Sequence, residues 1–131
     1  MSDRPAVRGI LFAHGRMAEG MVDAVRQISG AGEDALVALS NDGRAPRESL
    51  EAIERIAAGA PVIVFTDLLA GSCATAACLS GREHPERAVI CGVNLPMLLD
   101  FVFHREMAVA DLVERLLSKG QQGMRVLQTP A

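Results

Sequence analysis

The chain has 131 residues, enough for one domain of ordinary size, and half of them are hydrophobic, which excludes a largely disordered protein. Its net charge of −3 disfavours non-specific binding to nucleic acid or to an anionic membrane surface. The lack of Trp and Tyr argues further against a protein that stacks single-stranded bases.

Cysteine usage and hydropathy indicate the compartment. The three cysteines are odd in number and form no Cys-X-X-Cys pair, so we expect a reducing, cytoplasmic environment rather than a disulfide framework or a zinc ribbon. No apolar run reaches the roughly 18 residues that span a bilayer, and the first five residues lack the apolar stretch of a secretory signal. We therefore expect no direct membrane insertion.

The first half of the chain alternates apolar runs with segments of helical periodicity. Val7–Ala13 is apolar without polar alternation, which is typical of a strand buried on both faces of a parallel sheet. Met17–Ile28 carries apolar residues at helical spacing and predicts the first helix. Ala35–Leu39 predicts the second strand, and Pro46–Ala57 predicts the second helix.

The second half repeats this alternation. Pro61–Phe65 predicts the third strand, and the Ala-rich segment Ser72–Leu79 predicts a short helix. Ala88–Val93 predicts the fourth strand. Leu112–Leu117 marks a last helix, which we expect to end at Gly120 because a glycine just beyond a basic last turn is a common stop signal.

This order of elements predicts an α/β fold: a small doubly wound parallel sheet of four strands flanked by helices, in a single domain 1–131. Residues 1–5 are predicted to be a short N-terminal tail. The segment Met124–Gln128 is short and only partly apolar, and we expect it to be a C-terminal edge strand. Residues 120–123 predict a flexible hinge before it, because glycine stands at both ends.

Residues that directly follow the strands are the candidate site residues, because ligands of doubly wound sheets bind beyond the carboxyl ends of the strands. His14 follows the first run, Asp67 the third and Asn94 the fourth, while Gly71 and Ser72 open the Ala-rich helix. If the first, third and fourth strands are neighbours, His14, Asp67, Ser72 and Asn94 converge on one rim.

His14 is the centre of this predicted site. A neutral imidazole is nucleophilic, and a carboxylate on one ring nitrogen fixes the tautomer and leaves the lone pair of the other nitrogen free. Ser72 and the backbone at Gly71 suit an anion, since the N–H groups at a helix start bind phosphate. Each residue also has a structural alternative: a hydrogen-bonded histidine at a strand end for His14, and capping for Asp67 and Ser72. His84 and His104 are predicted to be surface histidines.

Three motifs carry a family resemblance. They are Ala13-His14-Gly15 with Ala18-Glu19-Gly20 behind it, Thr66-Asp67 leading to Gly71-Ser72, and Gly92-Val93-Asn94-Leu95-Pro96-Met97-Leu98. In this order the chain resembles the IIA component of the mannose/fructose/sorbose family of the bacterial sugar phosphotransferase system. It departs from the family's usual Gly-Gly-Ser-Pro at Ala70 and Cys73, a change that concerns partner choice more than phosphorylation.

The resemblance implies a cytoplasmic phosphocarrier that needs no metal or other cofactor. His14 would accept a phosphoryl group from HPr and pass it to a separate IIB component, which phosphorylates the sugar during uptake. Asp67 would be the carboxylate partner, and Gly71 and Ser72 would bind phosphate. The pocket rim or partner surface would include Gly15, Asn94, Pro96 and Met97. The family fold also implies a homodimer in which the C-terminal strand is exchanged.

Three other interpretations stay open from sequence. The chain could be a regulatory module that reports its phosphorylation state without a dedicated transporter. It could be a phosphocarrier of a dihydroxyacetone kinase, although the motif from Asn94 to Met97 favours the mannose-type group. A hydrolase that uses Cys73 or Ser72 with His14 is the weakest of the three, because no base-orienting pair is evident beyond Asp67.

Overall fold

A computed structural model describes residues 4–131, in which four parallel strands form one sheet and five helices cover its two faces. The strands are β1 (Arg8–Ala13), β2 (Leu36–Ser40), β3 (Val62–Thr66) and β4 (Ala88–Cys91). The helices are α1 (Met17–Ser29), α2 (Pro46–Ala57), α3 (Ser72–Glu83), α4 (Leu95–Val102) and α5 (Val109–Gln122). Positions 1–3 of the predicted tail 1–5 lie outside the described residues. None of the described helices is long and apolar enough to cross a membrane.

The sheet has the strand order β2-β1-β3-β4, with every pair parallel. The chain therefore leaves β1 toward one edge and returns through β3 toward the other, so that the switch in direction lies between β1 and β3. Phe12 stands opposite Thr66 in the register of this central pair. The loops after these two strands consequently open side by side, and the predicted doubly wound α/β fold is confirmed.

Two hydrophobic cores lie on opposite faces of the sheet. Leu11 faces the core built with α1, α4 and α5, whereas the next residue, Phe12, faces the core built with α2 and α3. Phe65 of β3 lies on the first side and Val64 on the second. Because both faces are covered, the strands carry no polar alternation, which is the pattern that predicted them.

The stretch after β4 differs from what the sequence predicted. The fourth strand ends at Cys91 rather than Val93, and the next residues form α4, a helix that the sequence analysis missed. Asn94 caps this helix: its Oδ1 accepts a hydrogen bond from the backbone N–H of Met97 at 3.1 Å. Pro96 lies in the first turn, where a missing N–H does no harm.

The predicted hinge 120–123 is also wrong. Helix α5 continues to Gln122, and Gly120 is a buried residue inside it. A Cβ at Gly120 would lie 2.7 Å from Cε of Met97, and the Gly120 carbonyl accepts a hydrogen bond from Nδ2 of Asn94 at 2.7 Å. Glycine at this position therefore allows α4 and α5 to approach closely, and it neither ends the helix nor bends the chain.

The C-terminal segment 124–128 forms no strand with the sheet of its own chain. Its apolar side chains are exposed: Met124 at 79%, Val126 at 76% and Leu127 at 100%. An edge strand on the same subunit is thus ruled out in this structure. Exchange of the segment with a second copy stays a prediction.

Candidate functional site

His14 lies in the turn between β1 and α1. Gly15 follows with φ +58°, a conformation that suits glycine and lets the chain turn from the strand into the helix at once. The Ser40 hydroxyl donates a hydrogen bond of 2.8 Å to the carbonyl oxygen of Gly15 and holds this turn to the end of β2. The imidazole remains accessible, since 41% of the His14 side chain is exposed.

Asp67 holds the imidazole from the end of the neighbouring strand β3. Its Oδ2 accepts two hydrogen bonds from His14, one from Nδ1 at 2.8 Å and one from the backbone N–H at 3.0 Å. Its Oδ1 accepts a third from the backbone N–H of Leu68 at 3.0 Å. With three donors around it, the carboxylate fixes both the position and the tautomer of the ring, because it accepts a hydrogen bond from Nδ1–H.

The protonation state of Asp67 follows from these contacts. Only 8% of its side chain is exposed, and burial by itself raises the pKa of the carboxyl group. The hydrogen bonds and the charge of His14 outweigh burial, so the pKa of Asp67 is lowered from its ordinary value of 3.8. Asp67 is therefore an ionised acceptor at neutral pH, and in the neutral form of the His14 ring the lone pair is on Nε2.

That lone pair lies beside the start of α3. A Cβ built on Gly71 would stand 3.7 Å from Nε2 of His14 and 3.6 Å from Cε1. Gly71 has φ +106° and precedes the first helical residue, Ser72. The backbone N–H groups of the first helical turn have no partner within the helix, and the helix dipole adds positive potential there. The surroundings of Nε2 therefore suit a group that carries negative charge.

Ser72 does not cap the helix, contrary to the alternative considered from sequence, because the N-cap position belongs to Gly71. Its Oγ instead accepts a hydrogen bond of 3.1 Å from Nδ2 of Asn41. Asn41 follows β2, and sequence reasoning missed it. Its backbone N–H donates to the carbonyl oxygen of Ala13, so the loops after β1, β2 and β3 meet at one place. The sequence offered one signal for Asn41, which was a polar residue just after a predicted strand.

Cys73 is buried beneath the imidazole, with Sγ 3.8 Å from Nδ1 of His14. Burial, and to a smaller degree the charge of Asp67, raises the pKa of this thiol to about 11. The thiol is therefore protonated at neutral pH and is a poor nucleophile, which weighs against a Cys73 hydrolase.

The donor atoms of His14, Asp67 and Cys73 lie within 4.8 Å of one another, a grouping that could hold a metal ion. A metal on Nδ1 would have to replace the hydrogen bond between His14 and Asp67. The prediction that no metal is needed stays a prediction.

The side chains of Asn94 and Met97 contact α5 at Gly120. Both polar atoms of the Asn94 side chain are used between α4 and α5, so Asn94 serves packing rather than the rim around His14. Met97 is 4% exposed and offers a partner almost no surface, whereas Pro96 is exposed. Of the residues expected to converge, the structure brings together His14, Asp67 and Ser72.

The other two histidines have different surroundings. Nε2 of His84 lies 3.0 Å from Oε2 of Glu54, and Nδ1 of His104 lies 2.8 Å from the carbonyl oxygen of Asp100. Their side chains are 35% and 30% exposed, so both lie at the surface, partly covered, and each is paired. His84 follows the carboxyl end of α3, far along the chain from its positive N-terminus.

Comparison with known proteins places this site in context. Residues 9–117 match the family EIIA-man, described as the PTS system fructose IIA component. The chain is 28% identical over 127 residues to the PTS system sorbose-specific EIIA component of Klebsiella pneumoniae, covering 95% of this chain and 94% of that protein.

Solved structures agree with this match. The phosphotransferase system component EIIA from Streptococcus agalactiae is 26% identical and superposes with a TM-score of 0.84, covering 92% of this chain and 96% of the other. The mannose/sorbose specific IIA subunit from Enterococcus faecalis shares the fold at 23% identity, with a TM-score of 0.81 and 98% coverage of both chains.

Proposed function

Because the chain belongs to the EIIA-man family of phosphotransferase-system IIA components, we propose that it is a phosphocarrier in which His14 accepts a phosphoryl group from HPr and passes it to a IIB component. The family implies a phosphotransferase role in sugar uptake. The donor, the acceptor and the phosphorylated residue are the parts that we propose. We also expect a cytoplasmic location, where both partners would be available.

One observation carries this proposal: Oδ2 of Asp67 lies 2.8 Å from Nδ1 of His14. An ionised carboxylate at this distance accepts a hydrogen bond from Nδ1–H, so the free lone pair is on Nε2, the nitrogen that faces Gly71. The ring is then a nucleophile with a fixed direction of attack, as in other histidines that a carboxylate orients.

The proposed step needs no proton transfer from the ring. The Nε2 lone pair forms a bond to phosphorus while the bond between phosphorus and the donor breaks, and the hydrogen on Nδ1 stays in place. The imidazole gains positive charge as the new bond forms, and the adjacent Asp67 carboxylate stabilises that charge. Transfer to the IIB component reverses these changes.

The start of α3 would hold the phosphoryl oxygens. Gly71, directly before its first turn, lies beside Nε2, and the N–H groups of that turn and the hydroxyl of the exposed Ser72 would face the phosphoryl group. A helix N-terminus stabilises an anion by about 0.3–1 kcal/mol at an exposed site. This contribution, modest by itself, favours the phosphorylated form without making it too stable to pass its phosphoryl group on.

Exposed apolar residues beside the site would serve partner docking. Leu68 and Leu69 directly follow Asp67 and are 57% and 85% exposed. Exposed leucines next to a reactive group are typical of a surface that another protein covers transiently. We place the shared docking surface for HPr and the IIB component here, with Gly15 and Pro96 at its margins.

The test is incubation with the general phosphotransfer enzyme, HPr and phosphoenolpyruvate, followed by intact mass. We expect a gain of one phosphoryl group that His14→Ala abolishes, and a loss of that group when a IIB component is added. His84→Ala and His104→Ala are matched controls that should keep the gain. Loss of the gain in either control, or its survival in His14→Ala, would contradict the assignment.

A further inference from the structure

We propose that Asn41 is a positioning residue that directs the hydroxyl hydrogen of Ser72 toward the phosphoryl group. The inference deepens the proposed function and rests on it. Asn41 lies directly after β2, and its backbone N–H donates to the carbonyl oxygen of Ala13 at 3.3 Å. Its side chain reaches the start of α3, so one residue links the strand that precedes His14 to the proposed phosphate site.

The inference depends on which residue donates in the hydrogen bond between Asn41 and Ser72. Nδ2 of Asn41 donates to Oγ of Ser72 at 3.1 Å. A hydroxyl group has one hydrogen and two acceptor lone pairs. With one lone pair engaged by the amide, the hydrogen of Ser72 points away from Asn41. Phosphoryl oxygens accept hydrogen bonds, so a hydroxyl held in this way meets them with its hydrogen rather than a lone pair.

A second observation indicates that Asn41 is not there for stability. Its Oδ1 is buried and accepts no hydrogen bond from any of residues 4–131. A buried acceptor without a donor lowers stability rather than raising it. The other polar atom of the same amide, Nδ2, holds Ser72, and this contact explains why an Asn stands at position 41.

The experiment measures single-turnover phosphoryl transfer from phosphorylated HPr to the wild-type chain, to Asn41→Ala, to Ser72→Ala and to the double variant. We expect Asn41→Ala to slow transfer by about tenfold, the effect of one lost hydrogen bond, without changing the half-saturating concentration of HPr. The double variant should be no slower than Ser72→Ala, because Asn41 acts only through that hydroxyl. Asp42→Ala, an exposed neighbour in the same loop, is the control and should transfer at the wild-type rate.

Asn41→Asp is a second variant of nearly the same size. Its carboxylate only accepts hydrogen bonds, so it would draw the Ser72 hydrogen away from the phosphoryl group, and we expect it to be slower than Asn41→Ala. Transfer by Asn41→Ala at the wild-type rate, additive losses in the double variant, or an Asn41→Asp variant faster than Asn41→Ala would each overturn the inference. A wild-type chain that takes up no phosphoryl group would instead overturn the proposed function.

Discussion

Replacement of Asp67 by Asn tests how the carboxylate acts on His14. The substitution keeps the size of the side chain and an oxygen that can accept from Nδ1, but it removes the negative charge. In the structure that charge lies 2.8 Å from Nδ1 of the ring that becomes positive during transfer. We therefore expect Asp67→Asn to bind HPr almost normally and to transfer slowly.

The magnitude follows from the geometry. Two unit charges about 4 Å apart, the approximate separation of the charge centres, attract by about 4 kcal/mol at an effective dielectric constant of about 20. Exposure of 41% of the His14 side chain to water reduces this value. Since each 1.4 kcal/mol is a factor of about ten in rate, we expect a loss of roughly a hundredfold to a thousandfold.

The assay is rapid mixing with phosphorylated HPr, with the phosphorylated fraction read by intact mass over time. Asp42→Asn removes an exposed carboxylate near the site and is the charge control, which should leave the rate unchanged. A decrease of less than about fivefold in Asp67→Asn would refute the view that the carboxylate stabilises the charged ring, because it leaves less than about 1 kcal/mol to that effect. An increase in the half-saturating HPr concentration alone would assign Asp67 to docking.

Three further predictions concern Ser72, acid stability and the C-terminal segment. Ser72→Ala should slow transfer by about tenfold or more yet change the free energy of unfolding in urea by less than about 1 kcal/mol, since Ser72 is exposed and caps nothing; a large loss of stability would contradict this. Because the pKa of Asp67 is lowered in the folded state, the stability that its charge contributes is fully present above pH 3.8 and is lost as pH falls through the lowered value. The stability difference between wild type and Asp67→Asn should shrink there, and a difference that is constant with pH would contradict the linkage. Truncation after Gly123 should shift the light-scattering mass from about two 13.9 kDa chains to one, and a monomeric full-length chain would refute strand exchange.

The central strands could be predicted from sequence because they depend on local pattern. The proximity of His14 and Asp67 at their ends could be predicted because it follows from a general property of parallel sheets. Val62–Thr66 is apolar on both faces, and the carboxyl ends of parallel strands meet at one edge. His14 and Asp67 each directly follow a central strand, so their proximity required only that β1 and β3 be neighbours.

Residues whose roles depend on contacts between distant elements were harder to predict. Gly120 follows a lysine and has the pattern of a stop signal, but the packing of α4 against α5 decides its role. Asn94 carried a motif that pointed to the site, although an Asn followed by Pro two residues later is also a typical helix start. Asn41 acts through Ser72, which lies 31 positions away, and no pattern within its own loop indicates that contact.

We propose that Nε2 of His14 carries the phosphoryl group while Asp67 holds Nδ1–H. The most direct measurement is nitrogen and phosphorus NMR of the phosphorylated protein, labelled with heavy nitrogen in its histidine rings. We expect phosphorus to couple to Nε2 of His14, with hydrogen retained on Nδ1 and a phosphoryl group that is lost in acid and survives in base. Phosphorus coupled to Nδ1, or a base-labile phosphoryl group on the Asp67 carboxylate with no coupling to the ring, would contradict this assignment.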